Sequence, residues 1–403
     1  MEINIDKTNW KKVKFGDVAI QMKGTVDREN TELKYYVKGE HMNSEDVHIR
    51  EFGELTDEYL GPAFIRHFKE GDILYGSRRT YLKKVAVAHF EGITSNTTFV
   101  INADEKVIDK RLLPFLMLSD KFTEHSIMHS KGSVNPYINW KDLANYEFLL
   151  PPKEQQSELA DLLWAMDEVI EKDLKVLERL EDSINYLFLK EIIDFEIKDS
   201  TITDILNFLN KNYGLLSLNA VGQFVKGKGI PKDDVVSKGI PCIRYGEIYT
   251  NHHIVIRKFK SFITEEVAKT SFKLGFGDII FAGSGETISE IGKSVCFIND
   301  FEAYAGGDTI ILRPEQNKYD SVFLSYLLNS LVVRQQLNKM GTGATVAHIY
   351  PEDLKKIKIP NISLSKQKEI AIKVESIYAA ISDIKSKLAS SKSLQKSLIN
   401  QLF

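Results

Sequence analysis

The sequence predicts an α+β protein: two similar mixed α/β domains joined by two long helices, which form an antiparallel intramolecular coiled coil with pseudo-twofold symmetry. Three observations carry this: a heptad seam in mid-chain, a second copy of that seam at the C-terminal end, and a duplication of the stretch preceding each. The expected divisions are 1–152 for the first domain, 153–193 for the central helix, 194–360 for the second domain with its connector, and 361–403 for the last helix.

In Glu154 to Glu191, apolar residues recur at Leu159, Leu163, Met166, Ile170, Leu177, Leu180, Ile184 and Leu187. The steps alternate between four and three except where Asp173 interrupts, which is the pattern of a coiled-coil seam. Ser365 to Phe403 repeats the spacing 211 residues later at Ile370, Val374, Ile377, Ile381, Ile384, Leu388, Leu398 and Leu402, with Ser391 and Gln395 as weak layers. Each stretch follows proline, Pro151-Pro152 or Pro360, and contains neither Pro nor Gly, which suits a sharp helix start and an uninterrupted run. At 1.5 Å per residue, about 38 residues make a rod of about 57 Å. Residues 154–200 carry 14 acidic and 5 basic side chains, and residues 365–403 carry 3 and 7, so −9 faces +4. That imbalance favours pairing of the two helices with each other over self-pairing. A duplicated, self-complementary interface implies the dyad, and antiparallel helices are the expected arrangement about it.

The 403 residues, 43% hydrophobic and 27% charged, fit a soluble globular protein of two or three domains. No run of eighteen apolar residues occurs, so no membrane span is expected, and MEINIDKTNWKKVKF lacks an apolar signal core. Cys242 and Cys296 alone make neither a disulfide framework nor a four-ligand zinc site, and the cytoplasm is the expected compartment. The net charge of −3 resolves into −1 for residues 1–153 and +3 for 201–364 once the helices are set aside. Bulk charge therefore neither supports nor excludes a nucleic-acid partner.

The duplication of the domains is legible in order. Val13 to Gly24 matches Leu216 to Gly227, Tyr36 to Met42 matches Ile243 to Tyr249, and Glu70 to Val87 matches Phe276 to Phe297. Thr97 to Ile101 then matches Asp308 to Leu312, and Lys131 to Pro152 matches Gly341 to Pro360; the offsets of the first four run 203, 207, 206 and 211. Short runs rich in Val, Ile, Phe and Tyr bounded by Gly predict strands, while Arg111 to Ile127 and Ser321 to Lys339 predict helices. Asp194 to Asn212 is a connector with a short helix of its own.

Two loop pairs are candidates for chemistry. The first contains Arg78, Arg79, Tyr81, Lys83 and Lys84, and its counterpart carries Ser284, Gly285, Glu286, Thr287, Ser289 and Lys293. Arg and Lys suit phosphates and guanine edges, and Ser, Thr or Glu suit base edges; a solvated hairpin fits the same residues. The frame Gly-Asp-Ile is held between the copies while the following loop changes, as expected if each copy reads a different sequence. The second pair, Lys131 to Asn139 with Lys131, Ser133 and Asn135, and Met340 to His348 with Thr342 and Thr345, is small and polar. It fits backbone N–H contacts to phosphate or a plain turn. No catalytic constellation is found: GTGATV lacks the Lys-Ser or Lys-Thr of a P-loop, Asn135-Pro136-Tyr137 is one proline short of an amino-methyltransferase motif, and Asp278, Glu290 and Lys293 match a nuclease triad poorly in spacing.

The duplicated plan, with LLPPKEQQSELADLLWAMDEVI and IPNISLSKQKEIAIKVESIYAAI, resembles the specificity subunit of a type I restriction–modification system. The first copy matches at Pro151, Pro152, Glu154 and Gln155 or Gln156, and in the second only Gln367 carries over. The resemblance implies a non-catalytic chain with two target-recognition domains, each reading one word of a bipartite, asymmetric site in double-stranded DNA across a coiled-coil spacer. Two modification (methyltransferase) subunits, and restriction (motor endonuclease) subunits where the system restricts, would bring the S-adenosylmethionine, ATP and Mg; this chain would bind none. The residues alone leave open a coiled-coil protein–protein adaptor without DNA specificity, and a stand-alone methyltransferase or nuclease.

Overall fold

The structure is a computed structural model that describes residues 5–27, 30–193, 201–285, 291–340 and 347–403, without the side chains of Asn185 and Ala347. The chain divides into two compact units, Met1–Val176 with Ile384–Phe403, and Leu177–Asp383. Each therefore holds one domain and part of each long helix. The central helix is Lys153–Lys190 and the terminal helix Leu364–Leu402, 38 and 39 residues long. Within the first unit they run antiparallel, since Lys387 Nζ meets Asp173 at 2.9 Å while Gln395 Nε2 donates to the Leu163 carbonyl at 3.3 Å. Within the second, Glu191 takes Lys366 and Lys373 at 2.9 and 2.8 Å. The acidic helix thus meets the basic one through named pairs. Asp173, which breaks the seam, is buried, and its Oδ2 has no partner among the described residues.

The first domain has two four-stranded sheets. One orders 19–22, 98–103, 73–76 and 85–87, all antiparallel; the other orders 53–54, 35–37, 92–95 and 64–68, with 35–37 and 92–95 parallel. The second domain repeats both: 222–226, 309–314, 279–282, 294–296 and an added 254–255, then 261–263, 240–243, 304–305 and 272–273 with the same single parallel step inside. The central strands are covered on both faces, which is why they read as unbroken apolar runs. Ile73 and Tyr75 pack with Phe115 and Phe122 on the helical side, whereas Leu74 faces Val37 and Phe68 of the other sheet. Ile279 and Phe281 against Ile280 and Ala282 repeat that alternation.

The held Gly-Asp-Ile has a structural cause. Gly71 and Gly277 take φ +85° and +84°, a region open to Gly at little cost. Asp72 and Asp278 then accept the backbone N–H of Lys69 and Gly275, both at 2.8 Å, and bind a side chain of the neighbouring strand, Asn102 in one case and Arg313 in the other.

Each predicted domain helix is in fact two: Leu113–Leu118 and Asp120–Met128, then Ser321–Asn329 and Leu331–Asn338. The breaks fall on Ser119 and Ser330, both extended, and the Ser119 hydroxyl caps the following helix by accepting the Phe122 N–H at 3.3 Å. The connector helix is Ile202–Tyr213, opened by a Thr201–Asp204 capping box.

One glutamine per copy fixes the start of each long helix. Gln156 accepts the Asp109 N–H at 2.7 Å and donates to the carbonyls of Val107 and Pro151. Gln367, 211 residues on, accepts the Asp320 N–H at 2.9 Å and donates to those of Lys318 and Ile362. Both are 2% exposed, so water cannot replace these bonds. Of the two glutamines in the first copy, Gln156 is therefore the counterpart of Gln367, and Gln155 instead accepts the Trp10 indole N–H. Gln367→Ala should cost about 2 kcal/mol or more, because a buried polar group left unpaired costs about 1–3 kcal/mol. Chemical denaturation should show a lower midpoint at unchanged slope, and a loss under about 0.5 kcal/mol would deny the anchor.

His48 ties the first domain to the central helix, its Nε2 lying 2.7 Å from Asp167 Oδ2 and 3.8 Å from Glu171. The bond to Asp167 holds the imidazole pKa above its ordinary value. A raised folded pKa contributes stability that is complete below the unfolded value, about 6.5, and is lost as pH rises through the folded one. The first unit should accordingly lose thermal stability as pH rises from about 6.5 through the raised value, and His48→Gln should abolish that slope.

Candidate nucleic-acid interface

The two candidate loops of the first domain are neighbours. Strand 73–76 continues through Ser77 into Arg78, which bridges to Tyr137, and the Arg79 N–H donates to the Pro136 carbonyl at 2.7 Å. Residues 131–137 form a closed loop, Lys131 and Tyr137 exchanging backbone hydrogen bonds of 2.8 and 2.9 Å. The second domain makes the same junction: Ser284–Gly285 pairs antiparallel with Ala347–His348. Arg78 and Ser284 differ by 206, Tyr137 and His348 by 211, which are the local repeat offsets. Both copies therefore build one two-stranded ribbon from the same two segments and place different side chains on it.

The first loop is not the expected hairpin. It is a single turn of 3-10 helix, Thr80–Leu82, bracketed by Arg79 (φ 49°, ψ 54°) and Lys83 (φ 47°, ψ 47°). Both are left-handed, costing about 1–2 kcal/mol per residue. Such conformations persist where surrounding contacts over-determine them, and they gather at functional sites. Arg78, Arg79 and Tyr81 are exposed, as are Lys131, Ser133 and Asn135. Lys131, itself exposed, lies 3.4 Å from the half-buried Asp142, a surface pair of small worth that DNA can displace.

Three expected contacts need correction. Lys83 is buried, donating to Asp120 and, at 3.2 Å, to the Leu118 carbonyl, so it is a structural lysine rather than a phosphate ligand. Ser284 is buried, its hydroxyl 3.1 Å from His348 Nδ1. Lys293 is half-buried and donates to the Tyr249 carbonyl at 3.4 Å. Lys84 is intermediate: its ammonium donates to the Gly39 carbonyl, and burial lowers its pKa. Glu286, Thr287, Thr342 and Thr345 lie outside the described residues. Asp278 is wholly buried and held bidentately by Arg313 at 2.7 Å through both oxygens, which makes it a structural acid.

Sequence reasoning passed over Val134, 94% exposed at the tip of the closed loop, and did not count Tyr137, 42% exposed beside Arg78, among the DNA contacts. An apolar tip suits a thymine methyl group. It also passed over His348 and Tyr350, which with Lys226 line a small cavity of about 110 Å³ at the second ribbon. The usable signal was the pair of offsets, which make Tyr137 and His348 equivalent.

Comparison with known proteins gives a consistent result. The family model described as the type I restriction modification DNA specificity domain matches twice, at residues 7–182 and 210–390. The MjaVIII specificity subunit of Methanocaldococcus jannaschii is 25% identical over 387 residues, 92% of this chain and 86% of that protein. The EcoDI specificity subunit of Escherichia coli is 30% identical over 173 residues, 41% of this chain and 37% of the relative. Among solved structures, the type I restriction–modification S subunit from M. genitalium aligns with TM-score 0.59 at 16% identity, covering 98% of this chain and 96% of its own. A chain from a study of assembly and conformational transition of the type I R-M system aligns with TM-score 0.59 at 19% identity over 98% and 97%. Both structural likenesses concern the fold.

Proposed function

We infer the function from the premise that the chain belongs to the type I restriction modification DNA specificity family, whose model matches it twice. It is the DNA-recognition subunit of such a complex, each domain reading one word of a bipartite, asymmetric site in double-stranded DNA. The observation that carries this is the duplicated ribbon, Arg78 with Tyr137 and Ser284 with His348, on one frame with different side chains. A pure adaptor has no use for two copies of one frame that carry different side chains.

Catalysis belongs to partners: modification subunits that bring S-adenosylmethionine, and in a restricting system motor subunits that bring ATP and Mg. Leu162, Val169 and Val176, 44%, 43% and 42% exposed and a heptad apart on the central helix, support a partner helix docking there. No helix of the described residues is long and apolar enough to cross a membrane; the action on DNA is placed in the cytoplasm.

The test is methylome sequencing of cells carrying the chain with its methyltransferase partner, beside titration of the complex against random duplexes. A single bipartite methylated motif is expected; methylation without any motif would leave the adaptor reading. The chain alone, freed of other subunits, should transfer no labelled methyl group.

The exposed cations give a further prediction. Changing Arg78, Arg79 and Lys131 to Ala should weaken binding and flatten the dependence of log K on log salt by about 0.9 per lost phosphate contact. Unchanged affinity and slope would make the loops solvated turns.

A further inference from the structure

Among the described residues six non-glycines have positive φ, and three of them, Glu45, Arg79 and Lys83, belong to one cluster in the first unit. The Glu45 N–H donates to the Lys83 carbonyl at 3.1 Å, Ser44 bridges to Lys84, and the Leu82 N–H closes the turn onto the Arg79 carbonyl at 2.9 Å. The buried Lys83 ammonium lies between two acids, Asp120 and Glu45, the latter at 3.4 Å. Both acids are also held by the end of the terminal helix. Lys396 Nζ meets Glu45 at 2.6 Å, and Asn400 accepts the Asp120 N–H at 2.7 Å while donating to its carboxylate at 2.6 Å.

We propose that Lys83 is a positioning residue for reading of the first DNA word, and that Lys396 and Asn400 set the pose of the Arg78–Tyr81 turn through it. This rests on the DNA-reading function inferred above.

Two considerations separate positioning from plain stability. The fold does not require the network: 211 residues after Asp120 stands Leu331, and 211 before Asn400 stands Leu189, yet the second domain has the same two sheets and the same broken helix. The strained turn, in contrast, needs outside contacts to hold it, and Lys83 is the left-handed residue whose side chain supplies them. Its burial means it touches no phosphate, so its effect on DNA must pass through the turn.

The experiment uses the complex of the full chain with its methyltransferase subunits, acting on duplexes with single-base changes in either word. Lys83→Met, and separately Lys396→Ala with Asn400→Ala, should lower discrimination in the first word about tenfold while the second word is read as before. Lys83→Arg should retain most of the discrimination. The salt slope of binding should stay put in every variant, since no phosphate contact is lost. Equal losses in both words, unchanged first-word discrimination in folded variants, or a slope lower by about 0.9 would overturn the proposal. Should Lys83→Met fail to fold, the Lys396/Asn400 double variant decides, because Lys396 is exposed and Asn400 half-exposed. A wild-type complex without any bipartite preference would overturn the functional reading instead.

Discussion

Exchanging residues 1–150 for the equivalent domain of a relative is expected to change one half of the methylated site and leave the other half as it was. The junction makes this workable. Gln156 and Gln367 bind backbone N–H and carbonyl groups of the domains they anchor, which any sequence of the same fold supplies. The cores also close within each unit, the first uniting Ile73, Phe122 and Leu163 with Leu398 and Phe403. Contacts that do depend on domain side chains include His48 with Asp167 and Arg50 with Glu171 on the central helix, and on the terminal helix those of the domain acids, Glu45 with Lys396 and Asp120 with Asn400. A donor lacking those acids should therefore be moved together with its own equivalent of residues 384–403. Each mismatched base pair costs about 1–3 kcal/mol, so a few changed positions suffice to move methylation wholly to the new motif. Methylome sequencing reads the outcome directly. A change in both halves by a folded chimera would mean that the two domains read DNA jointly.

The architecture was legible because duplication leaves its mark at every level. The seam of Leu159 to Leu187 recurs at a fixed offset, and the helices found lie within one residue of the seam stretches Glu154 to Glu191 and Ser365 to Phe403, though three residues inside the bounds 193 and 361. The site was legible only as segments. Loop composition brought Arg78 to Lys84 into view, but it could not distinguish Arg79, exposed on the ribbon, from Lys83, turned inward by two left-handed residues. Backbone of that kind has no sequence signature when the residue is not glycine. The serine breaks at Ser119 and Ser330 were hidden for a related reason: the apolar pattern continues through them, and only the cap geometry shows that one helix has ended. Val134 went unremarked, and Tyr137 was weighed only within Asn135-Pro136-Tyr137, because such residues in a polar loop signal no contact until their exposure is known.

The largest effect is expected from shortening the helix pair, which we take to be the ruler for the gap between the two words. The ion pairs suggest where to cut. Removing seven residues from the central helix between Asp173 and Glu191, and seven from the terminal helix between Lys373 and Lys387, leaves Asp173–Lys387 and Glu191–Lys373 in place. Both helices keep their heptad phase, so the seam still faces its partner. Seven residues at 1.5 Å each shorten the rod by about 10 Å. At about 3.4 Å per base pair, this corresponds to about three base pairs of spacer. The same change turns one half-site about a hundred degrees around the duplex, because a helical turn takes about 10.5 base pairs. Methyltransferase subunits docked on the shortened pair would then meet their target bases from altered faces. The expected result is methylation at a spacer about three base pairs shorter, or loss of methylation with binding retained. Deleting the heptad from only one helix should instead lose binding and methylation together, since Asp173–Lys387 and Glu191–Lys373 can no longer both stay in register. Full methylation at the original spacing by the doubly shortened protein would show that something other than the rod sets the distance.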